Sequence, residues 1–323
     1  MDCAVTFTAK ETAELLPSTR PADPLGADEI EGRTLASLIS AGTEIEGAYR
    51  GSKFPTHPGY AAIMEVQSVG SNVKTLQPGA RVFVSGGHRS WQRVAQNSAV
   101  VVPDGLAPDR AVLARLMGVS MSTLVTTAAR PRDLVLITGL GLVGNLAAQT
   151  FQRCGYDVIV FDPVEARREA AKKSGIKRVL EALPHDDASI KGRVALHVEC
   201  SGHEQSVLEG CKLVKRRGEV VLVGVPWRRR TEMYGFDLLH AVFHNYVVLR
   251  SGWEWEIPYS PTDFRCRSIM ENYQAALRWL AEGSINTDGL VALRSPKECQ
   301  NAYQDLMQQR TERPGIVFDW TQL

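Results

Sequence analysis

The sequence predicts an α/β protein of two domains: a mostly β domain that is discontinuous along the chain, and a domain built on a doubly wound parallel sheet. Three observations carry this. The 323 residues are long enough to bury two cores. Between Leu134 and Val225 short apolar strands alternate with helices, the pattern of a parallel sheet covered on both faces. The last forty residues return to the mixed character of the first hundred, as if the second domain were inserted into the first. The expected boundaries are 1–118 and 253–323 for the β domain, with 119–252 for the inserted one.

Taken in order, the start, Met1 to Pro17, reads as a short alternating strand followed by polar chain. Ala61–Val66 and Ala80–Val84 read as strands punctuated by Gly59, Gly70, Pro78-Gly79 and Gly86-Gly87. From Asp109 to about Ala129 apolar residues recur at helical spacing, which predicts one or two helices. Leu134–Thr138 is an apolar strand and Leu142–Cys154 a helix of small and apolar residues. Asp157–Phe161 is the next strand, followed by the charged helix Glu165–Ser174. Val194–Glu199 and Val220–Val225 are strands flanking a helix at Glu204–Leu213, and Tyr246–Gly252 carries a further strand. Helices are expected at Cys266–Ala281 and Pro296–Gln309, and a closing strand at Gly315–Phe318.

Charge and cysteine usage narrow the function. Lys and Arg number 37 against 36 Asp and Glu, a net charge of +1 that leaves no basic footprint for nucleic acid. No apolar run reaches the roughly 18–20 residues of a membrane span. The start lacks the basic and apolar regions of a signal peptide. Six cysteines stand singly (Cys3, Cys154, Cys200, Cys211, Cys266, Cys299), against a disulfide framework or a multi-cysteine zinc knuckle. The expectation is a cytoplasmic protein acting on a small molecule, with no nucleic acid or membrane partner.

Thr138-Gly139-Leu140-Gly141-Leu142-Val143-Gly144 places GxGxxG between a strand and a helix. Gly139 permits the tight turn, Gly141 lets backbone approach a pyrophosphate, and Gly144 lets helix and strand pack closely. The helix N-terminus offers N–H groups and a positive dipole to the phosphates. Asp162 ends the second strand, where a carboxylate accepts ribose hydroxyls and repels a 2′-phosphate, favouring NAD over NADP. Arg167 on the next helix either reaches the adenosine ribose or is a solvated helix charge.

These features, with Gly42-Thr43-Glu44, Tyr49-Arg50-Gly51, Pro58-Gly59-Tyr60, the stretch Val66–Val82, Pro103-Asp104-Gly105-Leu106 and Val223-Gly224-Val225-Pro226, resemble the medium-chain dehydrogenase/reductase superfamily over nearly the whole chain. The resemblance implies a GroES-like catalytic domain interrupted by a Rossmann domain, with hydride passing between a nicotinamide and a carbonyl or alcohol carbon. It implies Leu142, Val143, Thr123, Gly224 and Val225 as further contacts to NAD(H), and a homodimer through edge strands, for which Tyr246–Leu249 is the candidate. A more distant likeness is to bacteriochlorophyllide a dehydrogenases and sugar or cyclitol dehydrogenases.

The departures concern metal. Where zinc-using members place their ligands, this chain has Ala41, Tyr60-Ala61 and Val119, none with a thiol or imidazole. Gly86–Trp91 stands where a four-cysteine structural lobe would loop out. No catalytic or structural zinc is expected, so a side chain must handle the proton that accompanies the hydride. Tyr60 is the candidate, its pKa lowered by a neighbouring cation or by the nicotinamide, unless it merely fills the vacated space. Thr43 matches the hydroxyl that passes the proton to solvent, or else stabilises its turn; Glu44 either orients Thr43 or a substrate hydroxyl or is a structural hydrogen-bond acceptor. His57 and His88 are loop histidines near the same residues, each either a proton relay at neutral pH or a surface or structural residue. Trp91, His88, Trp253 and Trp255 are expected to wall a sugar or ring substrate.

The leading expectation is thus a zinc-independent, NAD(H)-dependent alcohol dehydrogenase or ketone reductase acting on a polyhydroxylated or ring substrate. The alternatives are a zinc-less enoyl or quinone reductase, and a non-catalytic NAD-binding sensor that kept the fold.

Overall fold

The structure, a computed structural model, describes residues 2–323. The chain divides into two compact units: Met1–Arg115 with Tyr273–Glu282 and Gly289–Leu323, and Leu116–Asn272 with Gly283–Asp288. The second unit therefore runs on to Asn272, past the expected boundary at 252, and takes back a short piece beyond Glu282.

The first unit opens with an antiparallel pair, β1 (Cys3–Ala9) and β2 (Thr12–Pro17). The stretch read as polar chain after the first strand is thus itself a strand. There follow β3 (Glu29–Leu38), β4 (Ala62–Val69), β5 (Arg81–Val84), β6 (Trp91–Ala95) and β7 (Ala99–Val101). Helices α1 (Pro108–Ala111) and α2 (Ala114–Thr126) then occupy the segment with helical spacing, α2 passing into the second unit at Leu116.

In the second unit β8 (Leu134–Thr138), α3 (Leu142–Arg153), β9 (Asp157–Phe161), α4 (Glu165–Lys173) and β10 (Arg178–Leu180) come in turn. They are followed by β11 (Val194–Glu199), α5 (Glu204–Leu213), β12 (Val214–Leu222), α6 (Gly235–His244) and β13 (Val248–Ser251), and by α7 (Ile269–Ala281), which from Tyr273 on belongs to the first unit. The sheet has six parallel strands in the order β10-β9-β8-β11-β12-β13. Alternate residues of its strands feed different cores. Val135, Ile137, Val158 and Val160 join one cluster, while Leu136 and Ile159 join another. Both faces are covered, as parallel strands require.

The chain returns to the first unit with β14 (Val291–Arg294), α8 (Cys299–Met307) and β15 (Gly315–Asp319). Its sheet runs β14-β15-β3-β4-β5-β7, with β6 also paired to β3. Phe7, Tyr49, Tyr303 and Phe318 fill the core at this end, with the Phe7 and Tyr303 ring centroids 4.8 Å apart.

Candidate functional site

Between β3 and β4 the chain winds as a π-helix, Gly42–Tyr49, a wide turn often found at functional sites. The turn lets Glu44 fold back on the residue four before it. Its Oε1 accepts the Ser40 N–H at 2.8 Å, and its own N–H bonds the Ser40 carbonyl at 2.9 Å. The other carboxylate oxygen accepts the Tyr303 hydroxyl at 2.5 Å and lies 3.0 Å from His88 Nε2. His88 Nδ1 is 2.7 Å from Ser37 Oγ, which also accepts the Trp320 indole N–H at 2.8 Å. Every member of this knot is buried. Fold contacts thus take up the polar atoms of Glu44 and His88, which is the structural alternative that the sequence left open for both. Burial, with Glu44 beside it, holds the Tyr303 hydroxyl well above the usual tyrosine range.

Tyr60 lies on the other side of Ser40. Its hydroxyl donates to Ser40 Oγ and lies 3.4 Å from Thr43 Oγ1, so the three hydroxyls meet. The Arg115 guanidinium sits 4.6 Å over the Tyr60 ring. Burial pushes the phenol above its ordinary value of 10, and the bonds to Ser40 and Thr43 with the Arg115 charge offset only part of that. The expected depression of its pKa is thus reversed: desolvation outweighs the cation. Tyr60 is a protonated donor at neutral pH. Ser40, Arg115 and Tyr303 were not singled out in the sequence. Arg115 lies in an otherwise apolar helical stretch and Tyr303 lies 259 positions from Glu44, so only the fold brings them in.

The dinucleotide loop is intact. Gly139 adopts φ +82°, and a Cβ there would come 2.6 Å from the Ser201 nitrogen. At Gly144 a Cβ would lie 1.8 Å from the Gly139 carbonyl oxygen, so both turns exclude side chains. Gly141 has open space where its Cβ would stand, and it precedes α3 without any side-chain cap. A buried threonine, Thr123, has a hydroxyl with no partner among the described residues. An open glycine, an uncapped helix start and an orphaned hydroxyl suit a phosphate-bearing dinucleotide.

Asp162 is only 1% exposed and accepts the Leu140 N–H at 2.7 Å and the Val164 N–H at 2.8 Å. The Arg167 guanidinium is 3.4 Å from it, so Arg167 is neither a purely solvated charge nor free of the carboxylate. Glu199, at the end of β11, was also missed. Its buried carboxylate accepts the Ser201 and Gly202 N–H groups and the Ser201 hydroxyl, fixing the loop that packs on Gly139. Burial raises its pKa and those bonds counter it. Gly224 packs against Gly202, while Val225 is exposed.

The aromatic candidates separate. Trp91 is buried and donates its indole N–H to Ser18 Oγ at 3.2 Å. It does so beside a cavity of about 570 Å³ that His57 and His88 also line. Trp253 and Trp255 are instead 69% and 56% exposed, and Trp255 stacks on Tyr259.

A profile described as zinc-binding dehydrogenase matches residues 143–257. An alcohol dehydrogenase of Geobacillus stearothermophilus is 27% identical over 314 residues, covering 82% of this chain and 88% of that one. The crystal structure of galactitol-1-phosphate dehydrogenase from Escherichia coli superposes with a TM-score of 0.82 at 16% identity, covering 98% and 99% of the two chains. A putative zinc-binding dehydrogenase from Sinorhizobium meliloti 1021, bound to NADP, gives a TM-score of 0.79 at 19% identity over 99% of each chain. The chain belongs to the medium-chain dehydrogenase/reductase superfamily. It is an oxidoreductase of the zinc-type alcohol dehydrogenase kind.

Zinc, which that superfamily implies, does not fit the residues present. The matched positions hold Ala41, Tyr60 and Val119. Among the described residues no three His, Cys, Asp or Glu side chains converge as a metal-binding group.

Proposed function

We propose that the chain is an NAD(H)-dependent alcohol dehydrogenase or ketone reductase in which Tyr60, rather than a zinc ion, serves the substrate oxygen. The observation that carries this is the meeting of Tyr60, Ser40 and Thr43 hydroxyls under the Arg115 cation. Gly141 and the first N–H groups of α3 would hold the cofactor's phosphates, with Gly139 and Gly144 shaping the loop, and Thr123 would offer its hydroxyl. Buried Asp162 disfavours a 2′-phosphate and so supports NAD over NADP. The bound nicotinamide supplies or accepts the hydride.

In the reducing direction the Tyr60 O–H bond breaks and its proton goes to the oxygen of the former carbonyl. The phenolate is held by Ser40, Thr43 and the Arg115 charge, and the hydroxyl of Thr43 returns a proton from solvent. Oxidation runs the same steps backwards. Glu44 is a positioning residue here: its grip on the Ser40 N–H fixes the hydroxyl that Tyr60 bonds. Secondary alcohols or ketones on polyhydroxylated or cyclic carbon skeletons are the proposed substrates, and six free thiols suit a reducing, cytoplasmic compartment.

Chelator-treated protein with NADH should turn over ketones, keto-sugars or cyclitol ketones. Turnover of enones alone would move the assignment to an enoyl or quinone reductase. Tight NADH binding without any turnover would leave a sensor.

A homodimer is part of the proposal. It is supported by β13, an edge strand paired on one side only, and by exposed apolar residues Tyr234, Phe236, Leu239, Phe243, Tyr246 and Val248, each 44–77% exposed. Exposed apolar patches on soluble proteins mark interaction sites.

A further inference from the structure

The cavity of about 570 Å³ in the first unit, lined by residues including Ser18, Thr19, His57, Gly59, Arg89 and Trp91, has the size of a small-molecule site. Its walls carry one arginine and two histidines and no carboxylate. Arg89 is half-buried, and among the described residues no Asp or Glu pairs with it. Burial alone shifts its pKa, downward, which is the mark of a desolvated cation without a counter-charge.

The guanidinium is nonetheless fixed in place. Its Nε donates to Gln92 Oε1 at 3.1 Å, and it lies 4.7 Å over the Trp91 ring. Gln92 is fully buried and is locked in turn by the Thr34 hydroxyl and the Gly87 carbonyl, at 3.1 and 2.8 Å. Trp91 is tied to Ser18. A guanidinium held by one nitrogen and one face keeps its two terminal N–H groups as a planar fork, which matches two oxygens of a carboxylate or phosphate. A desolvated, preorganised cation facing a cavity with no acid stands uncompensated until an anion arrives.

We propose that this cavity binds the oxyanion of a small organic molecule, a phosphate monoester or a carboxylate, with Arg89 as the principal ligand and the hydroxyls of Ser18 and Thr19 beside it. The site stands independently of the hydride chemistry assigned to Tyr60.

Titration calorimetry of the full chain with inorganic phosphate and, separately, with malonate tests this at neutral pH. Saturable binding of phosphate alone assigns a phosphate ester. Binding of malonate alone assigns a carboxylate, and binding of both assigns a general oxyanion site. Arg89→Gln should weaken binding roughly tenfold or more, as loss of charge-assisted hydrogen bonds does. Arg89→Lys, which keeps the charge and loses the fork, should weaken it less. Circular dichroism checks the fold of both variants, and if Arg89→Gln does not fold, the loss in Arg89→Lys carries the test. No saturable binding of either anion by the wild type, or undiminished binding by the folded variants, would overturn the proposal.

Discussion

His197 is the most desolvated titratable ring in the second unit. Burial lowers its pKa from 6.5 to about 3, its Nε2 is 2.7 Å from Thr138 Oγ1, and its Nδ1 has no partner. The imidazole is neutral in the fold but takes up a proton in the unfolded chain once the pH falls below about 6.5. Its contribution to stability is therefore whole above that value and is lost as the pH falls towards 3. Between pH 7 and pH 5 the loss should be about 2 kcal/mol, at about 1.4 kcal/mol per unit of pKa difference. Denaturant unfolding at the two pH values measures it. A His197→Asn variant, less stable at pH 7, should show a flatter profile, and parallel profiles would contradict the assignment. The sequence could not have pointed to this residue, since a histidine in an apolar strand looks the same whether it faces a hydroxyl or a helix.

At the level of elements, the strand–turn–helix around Gly139–Gly144 was legible because its signals are local. An apolar run, three glycines at fixed spacing and a switch of period all lie within about twenty residues. Gly144→Ala would drive a methyl into the Gly139 carbonyl. It should lower stability by about 1–3 kcal/mol, as overpacking does, and weaken NADH binding, read by thermal unfolding and by fluorescence titration. Unchanged values for both would mean that the helix and turn relax freely.

Other elements escaped for physical reasons. The first half of β12 carries Lys215, Arg216 and Arg217 and so does not read as an apolar strand. The helix α6 follows the charged run Arg228-Arg229-Arg230, and its Phe236, Leu239 and Phe243 point outward, which removes the usual contrast between a buried and a solvated face. The Glu44–His88–Tyr303 knot joins three distant stretches, so its members read as loop and helix residues with open side chains. Buried together, they spend their polar atoms on one another.

For the whole molecule, superfamily membership was legible from motifs spread over nearly the full length. What the motifs could not supply was the direction of the Tyr60 pKa shift, which depends on burial. The assembly is a further claim at this scale. Leu239→Glu with Phe243→Glu should convert a dimer to monomers in sedimentation velocity. A wild type that sediments as a monomer, or a double variant that stays dimeric, would remove that interface.

The central claim is that a neutral Tyr60, and no metal, protonates the substrate oxygen. It is tested most directly by comparing NADH-dependent ketone reduction by chelator-treated wild type and Tyr60→Phe. The account predicts that chelation leaves wild-type turnover unchanged, and that losing the phenol lowers kcat by about 10²–10⁴-fold, the usual weight of a general acid, with NADH affinity retained. Turnover abolished by chelation and restored by zinc, or a Tyr60→Phe enzyme as fast as wild type, would contradict it.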